Sequence, residues 1–201
     1  MIYLIITTSI HNKFGIQDGR KERYLYSISE TLKILPPEIK PIIVENNAMD
    51  HSYLDTLQVD VLYTSNNNRT YKSKGVNEML DIKEVITTYG IKDDDIIIKL
   101  TGRYRALSSR FFEEVMKNDH DAFIKFYGTC SLTFDKYDCI LGCYAIRCKF
   151  IKLYNHLSID NYQSAEVAFA RYVRLCGARF KEVEQLDIEC SFSDDSRILI
   201  V

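Results

Sequence analysis

Two ends of one segment carry residues that could do chemistry. Ile91–Arg105 reads IKDDDIIIKLTGRYR. At its amino end, Asp93 and Asp95 form a D-x-D pair whose carboxylates could share a hard divalent cation. At its carboxyl end, beyond the strand-like Ile96–Lys99, stand Thr101, Gly102, Arg103 and Tyr104. A guanidinium there could grip an oxyanion through two parallel hydrogen bonds. Ligands of open α/β sheets collect beyond the carboxyl ends of the strands. The expected substrate side is therefore Thr101–Tyr104, with the aspartates as an alternative metal site.

Charge distribution supports an anion site. The 201-residue chain has a formal net charge of −2, yet no acid lies between Asp60 and Glu78, where Arg69, Lys72 and Lys74 occur. None lies between Asp95 and Glu113 either, where Lys99, Arg103, Arg105 and Arg110 occur. Lys74-Gly75 also opens a helix pattern, and free N–H groups at a helix start attract phosphate. In the second half, Glu166 follows Ser164 at a helix start, where a carboxylate could take a proton from a hydroxyl nucleophile. That position also suits a glutamate through the helix dipole alone. Asp138 is a second carboxylate for the same role.

Other chemistries lose their support. There is no phosphate loop of the G-x-x-x-x-G-K-[ST] type and no G-x-G-x-x-G. A G-x-S-x-G elbow is missing too. His11, His51, His120 and His156 are scattered. The six cysteines show no C-x-x-C spacing, so reduced, buried thiols are expected. Cys139 and Cys143 share parity on an expected strand, with Cys148 on its other face. An acidic balance argues against non-specific nucleic-acid binding. Met1–Ile6 lacks a basic leader and reads as a first strand, no run is long enough for a membrane span, and a cytoplasmic location is expected.

The elements that must position these residues alternate between strand and helix. Strands are expected at Ile2–Thr7, Pro41–Glu45, Val59–Tyr63 and Ile96–Leu100. Helices are expected from about Gln17 to Leu35, stopped by Pro36-Pro37, and from Lys74 to Tyr89, stopped by Gly90. Ser108 or Ser109 caps a short helix through Val115. Closely spaced strands follow at Ala122–Tyr127, Ser131–Phe134 and Cys139–Ile146. Helices near Lys149–Leu157 and Ser164–Leu175 precede a final strand at Phe180–Leu186. The fold class is α/β, with a mixed, mainly parallel central sheet flanked by helices. Residues 1–201 form one domain, with a nucleotide-binding half to about residue 105 and an acceptor half from about 106. Polar strand ends at Thr7-Thr8-Ser9, Glu45-Asn46-Asn47, Ser65–Asn68 and Thr101–Tyr104 would gather in one crevice.

With IYLIITTS, PIIVENN, NNNRTYKSKGVNEML, DDDIIIKLTGRY and SAEVAFARYV in this order, the chain resembles the GT-A family of nucleotide-sugar glycosyltransferases, notably small single-domain viral and bacterial members. The resemblance implies that Thr7, Thr8, Glu45 and Asn46 surround the nucleoside. It puts Arg69, Lys74 and Asn77 near the diphosphate and sugar, and Thr101, Gly102, Tyr104 and Arg105 beside the donor. The family's metal-binding D-x-D would stand where this chain has Thr101–Tyr104. The departure implies that Arg103, with Arg105 or Lys99, neutralises the departing diphosphate, and that Glu166 is the base of an inverting transfer. No cofactor is firmly implied beyond the nucleoside-diphosphate sugar, and Mn or Mg is not favoured. The expected partners are that donor and a glycan or glycosylated acceptor. The alternatives are a sugar-phosphate nucleotidyltransferase, or a non-catalytic glycan- or protein-binding domain derived from a transferase. Tyr127, Tyr137, Tyr144 and Phe134 are expected either as stacking surfaces for a sugar or as core.

Overall fold

The computed structural model describes residues 1–11, 19–68, 71, 73–127, 138–157, 164–191 and 197–201. Arg69, Lys72, Cys130, Tyr137 and the strand expected at Ser131–Phe134 lie outside them. In chain order the elements are β1 (Ile2–Thr8), α1 (Arg20–Lys33), β2 (Ile39–Glu45), β3 (Asp60–Tyr63), α2 (Lys74–Thr88), β4 (Ile96–Thr101), β5 (Arg105–Ala106) and α3 (Arg110–Lys117). They continue with β6 (Ala122–Ile124), β7 (Cys143–Arg147), α4 (Cys148–Leu153), α5 (Ala165–Leu175), β8 (Phe180–Glu182), β9 (Ile188–Ser191) and β10 (Ile198–Ile200).

Seven strands form the central sheet in the order β3-β2-β1-β4-β7-β6-β8. The pairs β3/β2, β2/β1, β1/β4 and β6/β8 are parallel, whereas β7 runs antiparallel to both β4 and β6. β1 and β4 are buried on both faces, as near-continuous Ile-rich strands of a covered parallel sheet should be. Strand parity divides the core in two. Tyr3, Ile5, Ile42, Val44, Ile97 and Tyr144 meet Val76, Ile82 and Val85 of α2 and Phe169 and Val173 of α5. Leu4, Ile6, Ile43, Ile98 and Leu100 meet Tyr24 and Ile28 of α1 and Phe111 and Val115 of α3.

Helix ends follow local chemistry. α2 closes with Gly90 at φ +60°, its N–H donating to Thr87 O at 3.3 Å and the next N–H, of Ile91, donating to Ile86 O at 3.0 Å. This Schellman closure uses glycine because a Cβ is disfavoured in the left-handed region. Ile91 then enters the core at the start of the turn to β4. Pro36-Pro37 does stand just beyond α1, which ends at Lys33.

The second half departs from the sequence expectation. Cys139 makes an isolated bridge with Phe126, and the strand proper begins at Cys143. Cys148 opens α4 rather than lying on that strand, so its thiol packs in the α2 layer with Cys139. The strand expected at Phe180–Leu186 stops at Glu182, and the chain makes a second, three-stranded sheet in the order β10-β9-β5. β9 is fixed to α1 by Glu189, which lies 2.8 Å from both Arg23 and Arg105. These non-local pairings have no local periodicity that would announce them. Among the described residues no helix is long and apolar enough to cross a membrane.

Replacing Gly90 by Ala is expected to lower unfolding free energy by about 1 kcal/mol, with Asn less costly. Urea midpoints compared at constant m-value measure this, and an unchanged midpoint for Gly90→Ala would contradict the closure.

Candidate active site

The two-fold alternation that buries apolar side chains along β1, β2 and β4 delivers polar ones at their carboxyl ends. On the α2 face these are Thr7, Asn46, Lys99 and Thr101, and α2 answers with Asn77, Glu78 and Asp81 on one helical face. All but Glu78 are buried.

Lys99 is 1 % exposed. Its Nζ donates to Glu78 Oε2 at 3.0 Å, Thr101 Oγ1 at 2.6 Å and Leu141 O at 3.2 Å. All three ammonium hydrogens are thus used, as burial of a charge requires. Thr7 Oγ1 donates to the other Glu78 oxygen at 3.4 Å. Asp81, fully buried, accepts from Asn46 Nδ2, Thr64 Oγ1 and Asn66 Nδ2, each at 2.8 Å. Burial pushes the Asp81 carboxyl up to about 7, against the pull of those three donors, and the Glu78 charge adds to the rise.

On the opposite face Glu45 forms a second polar knot, also fully buried. It accepts from Thr8 Oγ1 at 2.6 Å, from the Ile10 N–H at 3.0 Å and from Asn47 Nδ2. Asn67 Nδ2 donates to Asn47 Oδ1 at 2.9 Å, joining the ends of β2 and β3. Tyr24 Oη accepts the Ser9 N–H at 3.1 Å. Gly102 packs where a Cβ would lie 2.8 Å from Thr8 Cγ2 and 2.9 Å from the Tyr24 ring, so only glycine fits there without displacement.

Two helix starts meet over this edge. A Cβ on Gly75 would lie 2.5 Å from Ala165 Cβ, so the absent side chain lets the first turns of α2 and α5 touch. Lys74 begins α2 and is exposed. The Asn77 amide oxygen is buried with no hydrogen-bond partner among the described residues. In α5, Ser164 caps the helix by accepting the Val167 N–H at 3.5 Å, and its hydroxyl donates to Glu166 Oε2 at 2.6 Å. Glu166 is half-buried and its backbone oxygen accepts from the Cys139 thiol at 3.3 Å. Beside it is a cavity of about 50 Å³, room for one or two waters, lined by Tyr104, Leu141, Gly142 and Cys190 among others. A Cβ on Gly142 would overlap the Tyr104 ring.

The remaining sequence candidates make other contacts. Arg103 Nη1 donates to Ser191 O at 2.6 Å, and its own carbonyl accepts from Arg23 Nε at 2.9 Å. Arg105 Nη1 donates to Tyr26 Oη at 2.9 Å and its Nη2 to Glu189, which places it with α1 and the second sheet, away from Asn77 and Lys99. Asp138 is buried, and its carbonyl accepts the Tyr127 N–H. Tyr144 is core, its ring tilted against that of Phe169 with centroids 4.5 Å apart. Asp93 and Asp95 lie at the opposite, amino edge of the sheet. Asp95 is 2.6 Å from the Met1 ammonium and accepts the Lys92 N–H, and Asp93 is 2.6 Å from Lys152. Among the described residues no group of three or more His, Cys, Asp or Glu is placed to hold a metal. On the crevice side, Glu78 and Glu166 are engaged by Lys99 and Ser164.

Sequence reasoning passed over Asp81 and Glu78. The usable signal was a carboxylate at Asp81, four residues from both Asn77 and Val85 on the apolar stripe of α2. Lys99, expected beside Arg103 as a cation for the diphosphate, is instead buried and bonded to Glu78, because a lysine in a doubly buried strand demands a partner.

No family model matches the chain, and no curated protein matches it. Solved structures do share its fold. The mannosyltransferase PcManGT from Pyrobaculum calidifontis, in complex with GDP-Man and Mn2+, superposes with a TM-score of 0.56 at 6% identity, over 90% of this chain and 54% of that one. The CMP:2-keto-3-deoxy-manno-octonic acid synthetase complexed with CTP gives 0.55 at 14% identity, over 91% and 90%. The glycosyltransferase GlyE of Streptococcus pneumoniae TIGR4 gives 0.50 at 10% identity, over 91% and 45%. The fold is GT-A-like. The chain spans about half the length of the two glycosyltransferases and nearly all of the synthetase.

Asp81→Leu strips the acceptor from three buried donors and should cost at least ~3 kcal/mol. Asp81→Asn gives the sharper test. Because the folded carboxyl titrates above its ordinary value, its stabilisation is full at low pH and is lost as pH rises through about 7. Urea unfolding at pH 5 and pH 8 should therefore show the Asn variant improving relative to wild type at pH 8. An equal difference at both values would contradict this.

Proposed function

We propose that this chain is a glycosyltransferase moving a sugar from a nucleoside-diphosphate donor to a hydroxyl of a glycan or glycosylated acceptor. The carrying observation is at the end of β1. The Ser9 and Ile10 N–H groups, which a triphosphate cradle in that loop would need, are taken by Tyr24 Oη and the buried Glu45 carboxylate. With those N–H groups spent inside the protein, the loop suits a neutral nucleoside, whose hydroxyls and base edges can meet Asn47 and Asn67. Phosphate is then expected on the other flank, where α2 begins with Lys74 and has no acid in its first turn.

In this reading Thr8 and Glu45 shape the nucleoside side, Thr7 and Asn46 stand between the two flanks, and Lys74 and Asn77 meet the diphosphate and sugar. Glu166 removes the proton from the acceptor hydroxyl. The acceptor oxygen bonds to the anomeric carbon as the bond to the diphosphate breaks, and that electron pair leaves on phosphate oxygen. One displacement inverts the anomeric centre. Arg103, whose Nη1 donates to Ser191 O, contributes positive charge to the leaving group. No step is routed through a metal ion.

A nucleotidyltransferase is the second reading, favoured by the near-complete length match with the synthetase. Thermal stabilisation by uridine, cytidine and guanosine mono-, di- and triphosphates, with and without manganese, separates the two. Transfer predicts a shift with one diphosphate; a shift confined to a triphosphate supports the second reading and sinks the first. Arg103→Ala should lower turnover by about 100-fold. Glu166→Gln should abolish transfer while leaving the diphosphate shift intact, and wild-type rates in either variant would refute the assigned roles.

A further inference from the structure

We infer that Thr101 donates its hydroxyl proton to the donor's diphosphate, with Lys99 as the buried cation that orients and polarises that hydroxyl; this rests on the transfer reading above. Thr101 is the last residue of β4, on the same face as Lys99 two residues earlier. Its N–H is already spent on Gly142 O at 2.8 Å. Its oxygen accepts from the Lys99 ammonium at 2.6 Å, so its one proton must point elsewhere. Among the described residues no acceptor takes that proton.

The direction is set by Lys99, not by the threonine. The three ammonium bonds go to three separate pieces of chain: Glu78 in α2, Thr101 in β4, and Leu141 in the turn beside the Glu166 cavity. Such an ammonium cannot swing out to a ligand. It can act only through what it holds, and a hydroxyl that accepts a bond from a cation becomes a stronger donor. The Asn77 amide oxygen, buried on the same face without a partner among the described residues, marks this flank as a place that a ligand with hydroxyl groups would complete. Lys99 and Thr101 are a positioning cation and a contacting donor, distinct from Arg103, whose Nη1 is turned to Ser191.

The test measures preference for a diphosphate over the monophosphate of the same base. Dissociation constants of the uridine, cytidine and guanosine pairs are obtained by calorimetry for wild type, Thr101→Val and Thr101→Ser. Wild type should favour one diphosphate, Thr101→Val should shrink that preference about tenfold or more, and Thr101→Ser should restore it. A purely structural role would weaken both nucleotides together and leave the ratio unchanged. Should Thr101→Val not fold, Thr101→Ala, where water can take the vacated place at Nζ, is read in the same way. If wild type binds no diphosphate, the transfer reading falls and this inference with it. If wild type prefers the diphosphate and the valine or alanine variant keeps that preference, this inference alone falls.

Discussion

A buried ammonium in the middle of a sheet constrains everything around it. Lys99 is almost wholly withdrawn from water, and an unanswered charge there would cost several kcal/mol. The fold must therefore bring a carboxylate, a hydroxyl and a carbonyl within about 3 Å of one atom, and it does so from three directions. Glu78 fixes the rotation of α2 over the sheet. Leu141 O fixes the turn that enters β7. Thr101 ties the end of β4 to both. Given α2 in this rotation, Asp81 faces the ends of β2 and β3 and collects Asn46, Thr64 and Asn66.

Lys99, Glu45 and Asp81 are thereby gathered at one edge of the sheet with hydrogen-bond partners, while the Asn77 amide oxygen beside them has none among the described residues. The two faces differ in kind. On the α1 face the anchor is a carboxylate, Glu45, which among the described residues accepts from hydroxyl, amide and backbone donors. On the α2 face the anchor is a cation, and two helix starts touch through Gly75 and Ala165.

The amino edge of the same sheet shows what abundant charge looks like without a comparable constellation. Asp93, Asp95, Asp119 and Asp121 meet Lys152, the Met1 ammonium, Arg147 and Arg179 in pairs that hold turns in place. Several of these groups are well exposed, so the pairs contribute modestly to stability. The conspicuous aspartates are thus accounted for by their neighbours.

By itself the sequence determined the alternation of strand and helix through the first hundred residues, because each element there carries its own periodicity and its own stop, such as Gly90 after α2. It also placed Thr7, Thr8, Glu45, Asn46 and Thr101 at strand ends, since parity and strand length are local properties. Only the tertiary structure decided which charges meet. Arg105 and Lys99 look alike in sequence, yet one pairs with Glu189 on the α1 side and the other is sealed against Glu78 on the α2 side. The second sheet, too, was invisible, because β5, β9 and β10 are two to four residues long and gain their pairing only from one another. Periodicity is written along the chain; partnership across about twenty to ninety residues is settled by packing, where burial penalises every polar group that fails to find its complement.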